Sequence, residues 1–215
     1  MNGREYIKSE ILERKISAII RTDNQKVAEQ GMRAAVAGGF TVVEFTLTTP
    51  GALNLITQFR ENDDLIVGAG TVMSPALVQE AVEAGAQFLV SPVFNLDVIQ
   101  ETAKLDVVSI PGTFTATEME TAHRASADLV KLFPAPANVA EYIRFILAPQ
   151  PHLKIFPTSG VNLDNMLDVL QAGAAGAGFV GPLFEPEMIR NKNYENIQQR
   201  AEAIVSRLAS FVING

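Results

Sequence analysis

Apolar and polar positions along this chain follow two periods in turn. Short runs rich in β-branched residues are apolar at nearly every position. They give way to stretches where apolar residues recur every three or four positions. The short runs predict strands over 16–21, 41–47, 66–71, 88–92, 107–112, 129–134, 154–160 and 176–181. The longer period predicts helices over 4–14, 24–37, 50–60, 74–84, 96–104, 115–125, 138–147 and 163–172. A last helix over 194–212 sets Ile197, Ala201, Ile204, Val205, Leu208 and Val212 on one face. Asn24, Ser74, Asn95, Thr115 and Asn162 stand where N-caps belong, because their side chains can accept the first free helical N–H groups. Gly38-Gly39, Gly85 and Gly173 stand at helix exits.

Eight strands, each followed by a helical stretch, predict an α/β fold: a closed (β/α)8 barrel of the TIM type, with an additional N-terminal helix. Pro92, Pro111, Pro134 and Pro157 each close a strand, at intervals of 19, 23 and 23 residues. That spacing holds one strand, one short helix and two short loops, with no inserted domain. No linker divides the chain, so residues 1–215 read as a single domain. An open doubly wound sheet is the other fold to weigh, but no G-x-G-x-x-G follows the first strand.

Composition narrows the function. The chain is 47% apolar and 19% charged, which excludes a disordered protein. It has no cysteine, so disulfides, thiolate zinc sites and a cysteine nucleophile are excluded. His123 and His152 are too few for a histidine-rich metal site, and a Ser-His-Asp centre would have to use one of them. A net charge of -7 argues against nucleic acid as a partner. The first ten residues have no apolar core, and the longest uncharged run, 169–184, is too short to span a bilayer. A soluble, cytoplasmic protein acting on a small molecule is expected, with no membrane partner.

Chemistry is sought among polar residues late in apolar strands, since a barrel's active site lies at the C-terminal ends of its strands. Strand alternation puts Leu129, Lys131 and Phe133 on one face. Facing inward, Lys131 would be a desolvated amine able to form a Schiff base with a ketone. Facing outward, it would snorkel to solvent, and parity alone does not separate the two. Lys154 echoes it in Lys-Ile-Phe-Pro but enters its strand at the start, where a charge reaches water. Glu44 shares a face with Val42 and Thr46 and is either a general acid/base or half of a structural ion pair. Thr46, Thr71 and Thr158 end strands, where hydroxyls bind anions or cap helices. Arg21 closes the first strand and could hold a carboxylate. Gly160 and Gly181 end the last two strands, where barrels bind phosphate through backbone N–H groups. No inward set of carboxylates and histidines suggests a divalent metal.

With these residues in view, the chain resembles the 2-keto-3-deoxy-6-phosphogluconate / 4-hydroxy-2-oxoglutarate (KDPG/KHG) aldolases, class I pyruvate aldolases. The resemblance runs in order through 18–21, 42–50, 67–72, 85–88, Ser91-Pro92, Pro111-Gly112 with Thr115 and Glu118, 130–135 and 156–161. It implies a homotrimer of barrels, the Schiff-base lysine at Lys131, Glu44 as proton-shuttling acid/base, and no metal or other cofactor. It places Thr71 and Thr158 at the pyruvyl group and has Pro92 and Phe133 line the pocket. Some members have arginine where this chain has Thr48, and Arg21 is the substitute. The phosphate-binding end departs further. One glycine becomes Ser159, beside Gly160, and Gly-Ser becomes Gly181-Pro182, where proline offers neither N–H nor hydroxyl. The expected reaction is cleavage of a 2-oxo acid to pyruvate and an aldehyde. The same imine could decarboxylate oxaloacetate, a short substrate that needs no phosphate site. A non-covalent barrel isomerase or synthase, and a non-catalytic binding protein, are the readings from other classes.

Overall fold

A computed structural model describes residues 3–214 of the chain, with side chains as far as 211. Helices and strands follow the expected order, except that the fifth strand is split in two and a short extra helix precedes the last. They are α1 Gly3–Arg14, β1 Ile16–Ile20, α2 Gln25–Ala37, β2 Val42–Thr46, α3 Ala52–Phe59, β3 Ile66–Gly70 and α4 Pro75–Glu83. Then come β4 Phe88–Val90, α5 Leu96–Lys104, β5 Val108–Ile110, β6 Gly112–Thr113, α6 Ala116–Arg124, β7 Val130–Leu132 and α7 Val139–Leu147. β8 Ile155–Pro157, α8 Met166–Gln171, β9 Ala177–Phe179, α9 Pro186–Arg190 and α10 Tyr194–Asn214 complete it. Val212, placed on the apolar face of the last helix, has a side chain outside the described residues.

All strand pairs are parallel, and the sheet curls. Its ladder falls into two segments, β5-β4-β3-β2-β1-β9 and β6-β7-β8, rather than one continuous eight-strand ladder. Pro111 makes the first seam by splitting the strand predicted over 107–112, because it has no N–H to donate. Its carbonyl still accepts from Lys131 N at 2.8 Å. At the second seam the segments meet in a single bridge, Thr158 to Gly178.

Side-chain parity sorts the interior into two layers. Ala18, Ile20, Val43, Phe45, Val67, Ala69 and Leu89 face outward and pack under the helices. Val42, Ile66, Phe88, Val90, Val108, Ile110, Leu129 and Phe156 form a second, inner cluster. Ile7 and Ile11 of α1 join that inner cluster, so the N-terminal helix closes one end of the curled sheet. Arg4 fixes it there by pairing with the buried carboxylate of Asp128 at 2.9 Å.

Four predicted caps accept helix N–H groups: Asn24, Ser74, Asn95 and Thr115, the last in a reciprocal pair with Glu118. Asn162 does not cap α8. Its Oδ1 accepts from Asp164 N and Asn165 N, closing a turn that delays the helix to Met166. The five-residue α9 was not anticipated, and Glu185 before it holds Arg200 of α10 at 2.7 Å.

Candidate active site

Lys131 is the middle residue of β7 and is 6% exposed. Its neighbours Val130 and Leu132 belong to the outer layer and Leu129 to the inner one, so its side chain points inward. That settles the parity question. Nζ lies 4.9 Å from the centroid of the Phe133 ring, whose face attracts a cation and shields an amine from water. Lys154 sits before β8 and is exposed, as its place at the start of the strand implied.

Glu44, 2% exposed, is the middle residue of β2, inward like Val42. Gly70 of β3 makes room for it, because a Cβ there would overlap the Glu44 carboxylate. Glu44, Lys131 and Thr158 line one interior cavity with Ser17, Ile19, Val90, Phe156 and other apolar side chains. No hydrogen bond or ion pair within 4.0 Å links the carboxylate to the amine, so the two groups act on each other through their fields across an apolar space. Burial pushes the Glu44 carboxyl above its ordinary range, against the opposing pull of Lys131 and Arg21. Burial likewise lowers the Lys131 amine, which Glu44 opposes and Arg21 assists. Burial therefore favours the neutral form of each group, while the charge of the other opposes it.

The parallel strands bring every residue that follows a strand to one rim, opposite α1. Arg21 follows β1 there, exposed but near enough for its charge to act on both buried groups. Thr49 Oγ1 accepts from Thr22 N at 3.2 Å and contacts Thr46 Oγ1 at 3.2 Å, tying the segment that carries Arg21 to the end of β2. Thr71 follows β3 with φ +61°, and among the described residues it is the only β-branched one of six non-glycine residues with positive φ. Such backbone costs on the order of 1–3 kcal/mol and collects at functional sites. Pro92 follows β4 and lies against Gly112, where any Cβ would strike its carbonyl. Thr158 follows β8 and is buried, while Ser159 and Gly160 take left-handed φ of +67° and +73°. Gly181 is exposed with open space around its Cβ position, so no crowding requires glycine there. The carbonyl of Pro182 is held by Arg200 at 3.1 Å. The structure thus gathers Lys131, Glu44 and Thr158 in one cavity, sets Phe133 against the Lys131 amine, and leaves Arg21, Thr71, Pro92, Ser159, Gly160 and Gly181 in the segments that follow the strands.

Ser17 was missed. It is buried on the inner face of β1 and lines the same cavity. Its only signal in the sequence was a polar residue of Arg21's parity inside Ile-Ser-Ala-Ile-Ile. Among the described residues no three His, Asp or Glu side chains form a metal-holding group. None of the described helices is long and apolar enough to cross a membrane.

Comparison with known proteins shows the family to which the chain belongs. The family model for KDPG and KHG aldolase matches residues 7–200. The 2-dehydro-3-deoxy-6-phosphogalactonate aldolase of Escherichia coli K12 is 32% identical over 193 residues, covering 87% of this chain and 91% of that protein. The 2-dehydro-3-deoxy-phosphogluconate aldolase of Treponema pallidum is 35% identical over 162 residues, covering 74% and 77%. The crystal structure of the Legionella pneumophila KDPG aldolase, with pyruvate captured as a covalent carbinolamine, superimposes with a TM-score of 0.82 at 27% identity. That match covers 92% of this chain and 97% of the other. These relatives are aldolases, so oxaloacetate decarboxylation, the alternative raised by the altered phosphate end, is not favoured. The chain is a carbon–carbon lyase and belongs to the KDPG and KHG aldolase family.

Proposed function

We propose that this protein is a class I pyruvate aldolase. It cleaves 2-keto-3-deoxy-6-phospho sugar acids and 4-hydroxy-2-oxoglutarate to pyruvate and an aldehyde through an imine on Lys131. The observation that carries this reading is a lysine 6% exposed, with its amine lowered by burial, sharing one cavity with a buried carboxyl. The carbinolamine in the Legionella relative supports it. The two ladder segments are read as one (β/α)8 barrel, with β5 and β6 a single strand interrupted by Pro111. A cytoplasmic homotrimer belongs to the same reading, and exposed Phe145, with Phe114 stacked on Tyr142, offers apolar surface for it.

The neutral Lys131 amine attacks the C2 ketone, and loss of water gives a protonated imine. Arg21 and the hydroxyls of Thr71 and Thr158 hold the substrate carboxylate. The imine draws electrons from the C3–C4 bond while Glu44 takes the proton of the C4 hydroxyl. The aldehyde leaves, C3 of the enamine is protonated, and hydrolysis returns pyruvate and the amine. Incubation with pyruvate and borohydride tests this. Mass spectrometry is expected to find a stable adduct on Lys131. No adduct, or one on Lys154, would overturn the assignment and leave the non-covalent barrel enzyme as the better reading.

The altered rim sets an expectation about substrates. Pro182 removes an N–H where the family's phosphate site closes, and Ser159 replaces a glycine, so the unphosphorylated 4-hydroxy-2-oxoglutarate should compete well. Its kcat/KM is expected within about tenfold of the phosphorylated substrates, since one or two lost phosphate contacts amount to about that factor. A preference of several orders of magnitude for the phosphorylated acids would refute this.

The pH dependence follows from the two buried groups. Imine formation needs the amine neutral, so activity should rise with pH through the lowered Lys131 pKa, well below the ordinary 10.5. Dehydration needs Glu44 as an acid, so activity should fall as pH passes the raised Glu44 pKa, above the ordinary 4.5. The kcat/KM profile is expected to be a bell whose limbs belong to the coupled pair. A rise continuing to pH 10.5 would contradict a desolvated lysine.

A further inference from the structure

The steps above leave one buried group without a task. Ser17 is 3% exposed, and its Oγ has no hydrogen-bond partner among the described residues. Ser109 Oγ is in the same condition, but Ser109 lies between inward Val108 and Ile110 and so faces the helices. Buried hydroxyls are nearly always hydrogen-bonded, so an orphan inside a reaction cavity points to a partner that comes and goes with the chemistry. Register supplies its neighbours. Ser17 pairs with Gly178 of β9, and Gly178 bridges to Thr158 beyond β8. A Cβ on Gly178 would stand 2.8 Å from Thr158 Oγ1 and 2.6 Å from Ile19 Cδ1. Ile19 Cδ1 and Thr158 Oγ1 fill the space that a side chain on Gly178 would take, so this stretch of wall, between the hydroxyl-bearing Ser17 and Thr158, is built over a glycine. The cavity behind it, also lined by Lys131 and Glu44, encloses about 10 Å³, the threshold for one water.

We propose that Ser17 is a positioning residue that holds the water exchanged at C2 of the substrate. This rests on the imine reading above. When the carbinolamine collapses, Glu44 gives a proton to the C2 hydroxyl and the C2–O bond breaks. The nitrogen lone pair then forms the C=N bond, and the leaving water is received beside Ser17. In product release that water's oxygen bonds to C2 and one of its protons goes to Glu44. The C2–N bond then breaks, nitrogen takes the hydroxyl proton and the ketone re-forms. Ser17 keeps its own proton throughout and only donates and accepts hydrogen bonds.

Pyruvate labelled with ¹⁸O at C2 isolates the exchange, because the label is lost each time an imine forms and is hydrolysed. Deuterium uptake at the pyruvate methyl group, measured in the same sample, reports the enamine step. S17A is expected to lose ¹⁸O about tenfold more slowly, as misplacing a reactant does. Deuterium atoms gained per oxygen lost should rise, because the imine lives longer between hydrolyses. Its Tm should be unchanged or higher, since the orphan hydroxyl is gone. S17C keeps the shape with a weak donor and should shift both readouts in the same direction, which decides the matter if S17A does not fold. Unchanged ¹⁸O loss in both variants would overturn the proposal, as would an unchanged or lower deuterium-to-oxygen ratio. If the unmodified protein neither exchanges ¹⁸O nor yields a borohydride adduct, the imine reading itself falls, a result distinct from normal exchange that ignores Ser17.

Discussion

Lys131→Met should abolish turnover, lowering kcat/KM by about four orders of magnitude or more, some 5 kcal/mol of transition-state stabilisation. Methionine matches the length of the lysine stem and can lie on Phe133 as the lysine does, so the shape of the cavity is kept. Only the nucleophile and its charge are removed. No other group in the cavity can form an imine, because Ser17 and Thr158 offer hydroxyls and Glu44 a carboxyl. Borohydride trapping with pyruvate should therefore fall to background in the same variant. Folding should not suffer. Burial lowers the pKa of the amine in the native chain, while the unfolded chain keeps its proton up to the ordinary 10.5. The wild type is thus penalised at low pH and recovers as pH rises from the lowered pKa toward 10.5. Lys131→Met escapes that penalty, so its Tm should exceed that of the wild type by most below the lowered pKa, and the difference should shrink as pH rises toward 10.5. A variant that keeps its activity, or one that unfolds at neutral pH, would show that Lys131 is structural.

Glu44→Gln should lower kcat by about 10²–10⁴, the range for losing a positioned acid/base. Glutamine fits the space that Gly70 leaves, so the loss would report proton transfer rather than packing. Trapping on Lys131 should persist, more slowly, because the amine remains. Stability provides an independent check. Folded Glu44 holds its proton above the ordinary 4.5, where the unfolded chain has released it. The native state then binds more protons, and wild-type stability falls with rising pH between 4.5 and the raised pKa. Glu44→Gln lacks that slope, so its Tm relative to the wild type should climb across the window. Full activity in Glu44→Gln would remove Glu44 from the mechanism.

The order of elements was legible because local physics dictates it. Asn24, Ser74, Asn95 and Thr115 cap the helices they precede, since a short polar side chain meets free N–H groups wherever a helix starts. Asn162 failed as a cap because competition from a nearby turn is decided by the backbone around it, where Asn165 Nδ2 bonds Gly160 O at 2.8 Å. The break at Pro111 could be foreseen from proline's missing N–H, but which ladder each half would join could not.

Local patterning is enough to show the alternation of strand and helix, and motifs are enough to single out Lys131, Glu44, Thr71 and Thr158. Patterning leaves open which way Lys131 points, because both faces of these strands are apolar and alternation carries no sign. Tertiary structure decided that. Closure of the curled sheet by Ile7 and Ile11 of α1 creates an inside, and burial in that inside moves the amine and the carboxyl toward neutrality. Only the three-dimensional register could set Ser17, Gly178 and Thr158 side by side, because they come from two strands and the end of a third, spread over more than 150 residues. Contacts of that kind depend on the hydrogen-bonded pairing of distant strands, which no local pattern of polar and apolar residues encodes.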